Sequence, residues 1–543
     1  MKISKIWSLT ATECTSIQTP ARSIDRHNEL DTPNITERAH LSLQLVASCC
    51  SERTYPAWMI WKRRRYVVAI MAFFGFFNIY ALRVNLSVGI VAMTTKTEVK
   101  LENETVTHVR KNRHTQILAT TEYRTVTNIK KFDWDSRVQG YVHSSFFYSY
   151  ILTQVPGGWL AARFGGKYVY GIGVAVTGAL TVISPFAAKH SYYSLIAVRV
   201  MGGIFEGVTY PSMHAVWAEW APLLERSRLV AIGFSGCYVG TLVATPLSAI
   251  LADRFGWESM FYVFGCVAIL WFVAWCIIVS DSPSRDPTLS NSELKYIQES
   301  LGEQQVSRIA KHPWRRIFTS VPVWSIIVAH FSENWGNYTL LTQLPMYMRD
   351  ARHLQLTSTG IMSAIPYLTA SIITPTAGHV ADWLLKKQIF NVTQVRKIFT
   401  CGAYVGQAVF MIMAVYILTP TGSITCVSIA SALGGLMWAG SGVNHLDIAP
   451  QHASVLMGIS NTFASIPEIV SPILTGYIVP TASAHEWQTV FAISSCVYLF
   501  GATFYGIFGS GELQPWAINV EANAMDQEHD ERKHEQNLAQ TSG

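Results

Sequence analysis

From Tyr66 onward the chain alternates between apolar runs of about 20 residues and polar connectors. A run of that length can cross about 30 Å of hydrocarbon as a helix, which satisfies its own backbone groups where no water can. Twelve such runs are present, over residues 66–94, 137–161, 167–188, 191–217, 227–252, 258–280, 321–348, 357–384, 397–418, 424–446, 453–479 and 487–509. The pattern predicts an all-α integral membrane protein with twelve spans. Residues 281–320 are polar and set six spans on each side, with Pro283, Pro287 and a short helical piece near Ser292 to Gly302. The expected organisation is a disordered tail (1–60), an amino-terminal half (61–280) with a long first loop (95–136), the central loop (281–320), a second half (321–511) and a polar tail (512–543).

Several spans carry polar residues whose presence needs a reason. Span 4 holds Arg199 and Glu206, seven residues apart and so on one helix face. A charge inside a bilayer costs about 2.5–3.5 kcal/mol on insertion scales, so it normally faces a polar cavity and takes part in moving something. The two groups are separated by about 10 Å of helix rise, so each must find partners elsewhere. Arg83 in span 1 offers a permanent fork that suits a carboxylate or phosphate, which makes it a candidate substrate holder; the alternative is a structural ion pair with Glu206. Glu206 is the candidate proton carrier, because burial and a nearby arginine pull its protonation in opposite directions and a competing anion changes the balance. His143 in span 2 is a second titratable candidate or a neutral hydrogen-bonding residue, and Tyr148 on the same span is a candidate cavity residue. Glu333 and Glu468 are expected to be buried, lining a cavity or lying near an interface.

Charge orients the spans. Lys62–Arg65, Arg163, Lys167, Arg226, Arg228, Lys386, Lys387, Arg396 and Lys397 all fall in connectors on one side, which predicts both termini in the cytoplasm. The loop between spans 1 and 2 holds nine Lys and Arg, yet it is long, carries acids too, and contains the Asn103–Thr105 glycosylation sequon of an external or lumenal segment. Composition agrees with a membrane class: of the 543 residues 14% are charged, against about 25% in soluble domains. The net charge of +6 comes from loop residues and gives no reason to expect nucleic acid. Six of the nine cysteines fall within spans as small apolar fillers, so neither a disulfide framework nor a metal site is expected, and Cys49-Cys50 reads as an ordinary tail pair. Residues 1–60 lack the apolar core of a cleaved signal peptide. With no nucleophile beside a base, an enzyme is not expected.

Faint internal repeats relate the halves. Trp257, Phe261 and Cys266 recur as Trp487, Phe491 and Cys496, Gly202-Gly203 as Gly434-Gly435, and Ala221-Pro222 as Ala449-Pro450. Two parallel, pseudo-symmetric six-helix halves are the pattern of the major facilitator fold. The stretch Gly158–Lys167, with Arg163, resembles the glycine and basic loop of that superfamily, and Gly378–Lys387, with Asp382, is its counterpart after span 8. In the superfamily these loops latch neighbouring helices, but the first copy has Ala162 where many members carry Asp. Asn444–Pro450, with His445 and Asp447, ends span 10 as a structural or gating element.

The stretches Arg83–Ser87, Ser145–Gly158, Glu206–Pro211, Trp220–Arg228 and Asn444–Pro450 closely resemble the anion/cation symporter family, which comprises sialin, the vesicular glutamate transporters and the type I sodium-phosphate cotransporters. The likeness covers about residues 60–517, and Val328–Ser332, Tyr338–Thr342 and Glu486–Phe491 are most similar to sialin. It implies a proton-coupled exporter of acidic sugars such as sialic acid, with acidic amino acids as further cargo, in a lysosomal, vesicular or plasma membrane. It also implies that Arg83 holds the substrate carboxylate while Arg199 and Glu206 form the coupling pair. No cofactor is expected beyond H+ as coupling ion, with Na+ as the alternative. The expected partners are a small organic anion and membrane lipid, and a monomer is expected. Three departures bear on this: Glu333 stands where the vesicular glutamate transporters have arginine, Gly202 where sialin has glutamate, and His143 where sialin has no histidine. No acidic dileucine address is evident in residues 1–60. The rival readings are a sodium-coupled phosphate or organic anion carrier of the same fold and a membrane sensor that binds without transport.

Overall fold

Each predicted span is helical in the computed structural model, which describes residues 63–94, 132, 134, 136–302, 312–350, 356–417, 419–481 and 483–517. Asn103, Cys49-Cys50, the first tail and most of the second lie outside the described residues. The first half comprises α1 (Arg64–Thr94), α2 (Ser136–Phe164), α3 (Gly166–His190), α4 (Tyr192–Glu206), α5 (Thr209–Trp220), α6 (Arg226–Phe255) and α7 (Glu258–Ile278). The central segment adds α8 (Asn291–Leu301) and α9 (Trp314–Thr319). The second half has α10 (Val321–Asp350), α11 (Leu356–Lys386), α12 (Val392–Tyr416), α13 (Pro420–Gly434), α14 (Ser441–Ile448), α15 (Ala453–Ala464), α16 (Ile466–Ile478) and α17 (Ala484–Phe508).

Three spans are interrupted where the sequence reading has continuous helices. Span 4 breaks between Glu206 and Thr209, because Pro211 has no amide proton for the Gly207 carbonyl and its ring crowds that turn. Span 10 breaks across the 3-10 turn Gly435–Ala439, and span 11 at Ser465, just before Pro467. The repeated pairs Gly202-Gly203 and Gly434-Gly435 both fall beside such a break. Among the described residues, eight helical stretches are long and apolar enough to cross a membrane. The remaining spans are α2, α10 and α11, plus the divided α4–α5. Those carry much of the polar lining described below.

Helix α1 packs along α6, α3 along α7 and α2 along α4, while in the second half α12 packs on α17 and α11 on α13. The halves meet along two seams, α6 with α11 and α2 with α15. Exchanging the halves turns one seam into the other, since span 5 corresponds to span 11 and span 8 to span 2. The motif glycines make both seams close. A Cβ on Gly158 would stand 2.5 Å from the Ser454 carbonyl, and one on Gly378 2.7 Å from the Ser227 carbonyl.

The basic end of the bundle is tied together by ions. Arg65 pairs with Glu225 at 2.6 Å and with Glu293 of α8 at 2.7 Å, and Arg64 pairs with Asp286 at 3.0 Å, which docks the central segment against α1. Glu225 also pairs with Arg228. Across the seam, Asp382 accepts the Ser227 and Arg228 amides at 3.1 and 2.9 Å, capping the first turn of α6. Asp447 holds both Arg396, at 2.7 Å, and Arg226, at 3.3 Å, and so joins the halves a second time.

Candidate functional site

Arg83 of α1 reaches the end of α4, where its Nε donates to the Glu206 carboxylate in a buried ion pair. Its Nη1 donates to the Tyr338 hydroxyl of α10 at 3.3 Å, and its Nη2 is buried without a hydrogen-bond partner. The guanidinium lies 5.3 Å from the Tyr80 ring, 5.4 Å from Phe146 and 4.7 Å from Tyr150. Aromatic faces attract a cation electrostatically and keep water from it, so they hold the arginine charged in an apolar setting. Arg199 lies 4.6 Å from the same Phe146 ring, and its buried Nε has no partner. One ring therefore serves two arginines, and Glu206 bonds to Arg83 rather than to its helix neighbour.

These residues converge because α2 and α4 approach closely. A Cβ on Gly203 would lie 2.2 Å from the Phe146 carbonyl, and one on Gly207 2.1 Å from the Thr153 hydroxyl. The pair, four residues apart, makes one bare strip on α4 against which α2 lies.

A cavity between the halves opens beside Arg83. Its walls include Tyr80, Arg83, Tyr150 and Tyr238 from the first half, and His330, Glu333, Asn337, Tyr338, Tyr367, Trp438, Asn461 and Glu468 from the second. Glu333 accepts a hydrogen bond from Gln407 at 2.9 Å. Glu468 is 6% exposed and its Oε2 has no hydrogen-bond partner. Tyr80 and Tyr210 share a hydrogen bond at 3.0 Å. In the cavity wall, Asn461 donates to the Tyr150 hydroxyl at 3.1 Å and to Gln154 at 3.0 Å, joining α15 to α2.

The structure unites some of the residues expected at the site and separates others. Arg83 and Glu206 meet directly, with Arg199 one ring away. His143 is on the same face of α2, its ring 6.3 Å from that of Phe147, and Arg199 is the charge that acts on it; neither residue is among those lining the cavity. The expectation for Tyr148 is corrected: it is 57% exposed on the outer surface. Two positions along a helix turn a side chain by about 200°, so Tyr150, not Tyr148, faces inward. Asp382, Asp447, Gly158 and His445 lie at the seams or between them, whereas Arg163 is exposed and stacks over Trp159 at 5.6 Å. Lys167 donates to the Cys276 carbonyl at 3.1 Å, tying α3 to α7. At Ala162 the α2–α15 seam has no carboxylate like Asp382, and it is closed by the Gly158 and Gly458 contacts and the Asn461 bonds.

Sequence reasoning missed Phe146 and Tyr150 as arginine supports, although their spacing of four residues places them on one face. It named His445 as a structural or gating residue but missed the two buried histidines that it meets, His214 and His330. His445 and His330 both lie within hydrogen-bond distance of the Ser460 hydroxyl, at 2.8 and 3.2 Å, and the His214 ring is 5.2 Å from that of His445. A polar residue in each of three separate spans gives no sequence sign that the three will meet.

The Major Facilitator Superfamily model matches residues 68–469. Human sialin is 42% identical over 456 residues, 84% of this chain and 91% of its own length. The chain belongs to the major facilitator superfamily, in its sialin-like branch. Human vesicular glutamate transporter 2 is 40% identical over 458 residues, 84% of this chain and 75% of its own. In fold, this sialin-like chain matches the proton:xylose symporter XylE bound to 6-bromo-6-deoxy-D-glucose, with a TM-score of 0.60, 15% identity and coverage of 84% of this chain and 98% of that one. At that identity the likeness shows the fold alone. The sialin-like chain is thus a multi-pass membrane transporter of organic anions, not an enzyme.

Proposed function

We propose that this chain is a proton-coupled symporter of organic monoanions working by alternating access. The observation that carries the reading is the buried Arg83–Glu206 pair beside the cavity, with Arg83 Nη2 left unpartnered. A substrate carboxylate can take the free edge of the guanidinium only in competition with Glu206. A proton on Glu206 removes that competitor, so protonation of the glutamate and anion binding at Arg83 favour each other. When the anion leaves, Arg83 draws Glu206 back to its charged form and the proton is released. Arg199 keeps the surrounding potential positive for an arriving anion.

The ion network at the basic end corresponds to a carrier closed on that side, which is the cytoplasmic side on the charge rule, and Asp382 and Asp447 are the residues whose bonds must part for it to open. Acidic sugars such as sialic acid and acidic amino acids are the candidate cargo, drawn from a lysosome or another acidic compartment. The test is uptake by proteoliposomes under an imposed pH gradient, with and without sodium. Wild-type protein should show proton-driven, sodium-independent flux. Glu206→Gln should lose the proton drive while retaining substrate exchange. Dependence on sodium without dependence on pH, or proton-driven flux unchanged in Glu206→Gln, would overturn the reading.

A further inference from the structure

Helix α9 (Trp314–Thr319) has two unlike sides. At about 100° of turn per residue, Phe318 lies about 40° from Trp314 and Ile317 about 60° on its other side, whereas Arg315 and Arg316 lie about 100° and 200° round. Ile317 is fully buried and seats the helix on the bundle, while Trp314 and Phe318 stay exposed with their rings stacked, centroids 6.4 Å apart. Val321 and Trp324, in the first turn of α10, are exposed as well, so the apolar side of α9 runs on into the outer face of that span.

Such a side matches the surface of a bilayer. Tryptophan is favoured at the level of the lipid headgroups, and an amphipathic helix lies there in the plane of the interface with its charged side outward. The charged side of α9 is uncompensated: Arg315 and Arg316 are exposed, and among the described residues neither forms an ion pair. By contrast Arg64, Arg65, Arg226, Arg228 and Arg396, at the same end of the bundle, each meet a carboxylate. Two guanidinium groups with no acid opposite them suit a phosphate, whose oxygens accept parallel N–H bonds from each fork.

The helix is also fastened at both ends. His312, just ahead of it, shares a hydrogen bond at 2.9 Å between imidazole Nδ1 atoms with His452 of the turn before α15. The Trp324 indole donates to the Phe318 carbonyl at 2.8 Å. Both arginines therefore stand on a fixed platform and lose less freedom on binding than they would on a loose connector.

We propose that α9 is a binding site for an anionic phospholipid of the leaflet at the basic end, with Trp314 and Phe318 set into the headgroup region and Arg315 and Arg316 on the headgroup phosphate. A zwitterionic phosphatidylethanolamine presents the same phosphate but brings an ammonium that two free cations repel, so net negative charge selects the lipid. The site is separate from the cavity and does not depend on which anion the carrier moves.

The experiment places the full chain in phosphatidylcholine proteoliposomes with a trace of photoactivatable phosphatidylinositol and reads the labelled segments by mass spectrometry. Residues 312–324 should be labelled, and unlabelled phosphatidylinositol should displace the label at least about fivefold better than phosphatidylethanolamine at equal mole fraction. Raising the salt from about 0.1 M to about 1 M, which shortens the screening length from about 10 Å to about 3 Å, should weaken the labelling. Arg315→Gln with Arg316→Gln should reduce it by about tenfold, whereas Arg315→Lys with Arg316→Lys, which keeps both charges, should hold it within about threefold. Equal displacement by the two lipids, labelling unchanged in the glutamine pair, or a loss as large in the lysine pair as in the glutamine pair would overturn the proposal. Displacement by free inositol phosphate as effective as by the lipid would assign the two arginines to a soluble phosphate and would overturn it too.

Discussion

At the residue scale, Phe146 supports two arginines that would otherwise face each other through an apolar interior. Its ring lies 5.4 Å from Arg83 and 4.6 Å from Arg199. A cation over a desolvated ring gains about 2 kcal/mol, and about 0.5–1 kcal/mol at exposed sites. Phe146→Leu preserves bulk but removes that attraction, so the apparent KM for a carried anion should rise by roughly three- to thirtyfold, read as substrate dependence of uptake. Tyr148→Leu, two residues away on the outer surface, should leave KM within about twofold. The reverse ranking would mean that Tyr148 faces substrate in the working carrier. From the sequence alone the two positions look alike, because both are aromatic residues in one apolar run.

At the element scale, the spans were legible and their interruptions were not. An apolar run declares its length, and the predicted limits lie within a few residues of the helices: 227–252 corresponds to Arg226–Phe255 and 487–509 to Ala484–Phe508. The break after Glu206 could have been found from Pro211, which deprives Gly207 of its helical partner, yet hydropathy runs straight through it. The site was half legible for a related reason. Arg83, Arg199 and Glu206 stand out because charge is rare in a span, whereas Tyr80 and Tyr338 belong to a residue type common in membranes and acquire a role only by meeting across helices. The glycines of α4 separate these two kinds of information. Gly203→Val would drive a side chain into the Phe146 carbonyl and the Ser149 hydroxyl, each 2.2 Å from its Cβ, so the purified protein should melt several degrees lower or fail to accumulate. Gly202→Ala meets only Phe146, at 4.0 Å, and should melt as the wild type does. A Gly203→Val protein of normal stability and yield would show that α2 and α4 do not pack this closely.

At the scale of the whole molecule, the basic end is where protons act on stability. Burial works against charge on Glu225, but Arg65 and Arg228 outweigh it and hold its carboxyl below the usual carboxylate range. A carboxylate with a lowered folded pKa adds stability above its unfolded pKa, about 4.3, and loses it as pH falls through the folded value. The melting temperature of detergent-purified protein should therefore owe no loss to Glu225 between pH 8 and about 5, and should decline below about 4. Glu225→Gln should melt lower at neutral pH and show a shallower acid decline. A Glu225-dependent decline already complete at pH 5 would contradict this arrangement.

The interrupted spans carry a mechanical consequence. A rod that crosses the bilayer in one piece transmits any tilt at one mouth to the other, whereas spans 4, 10 and 11 contain joints near mid-depth. Their outer segments can swing inward over a trapped solute while the bonds at the opposite mouth stay closed. Under the alternating access proposed above, such joints would release the two mouths from moving in lockstep and allow an intermediate closed at both, so that cargo would change sides without an open pore.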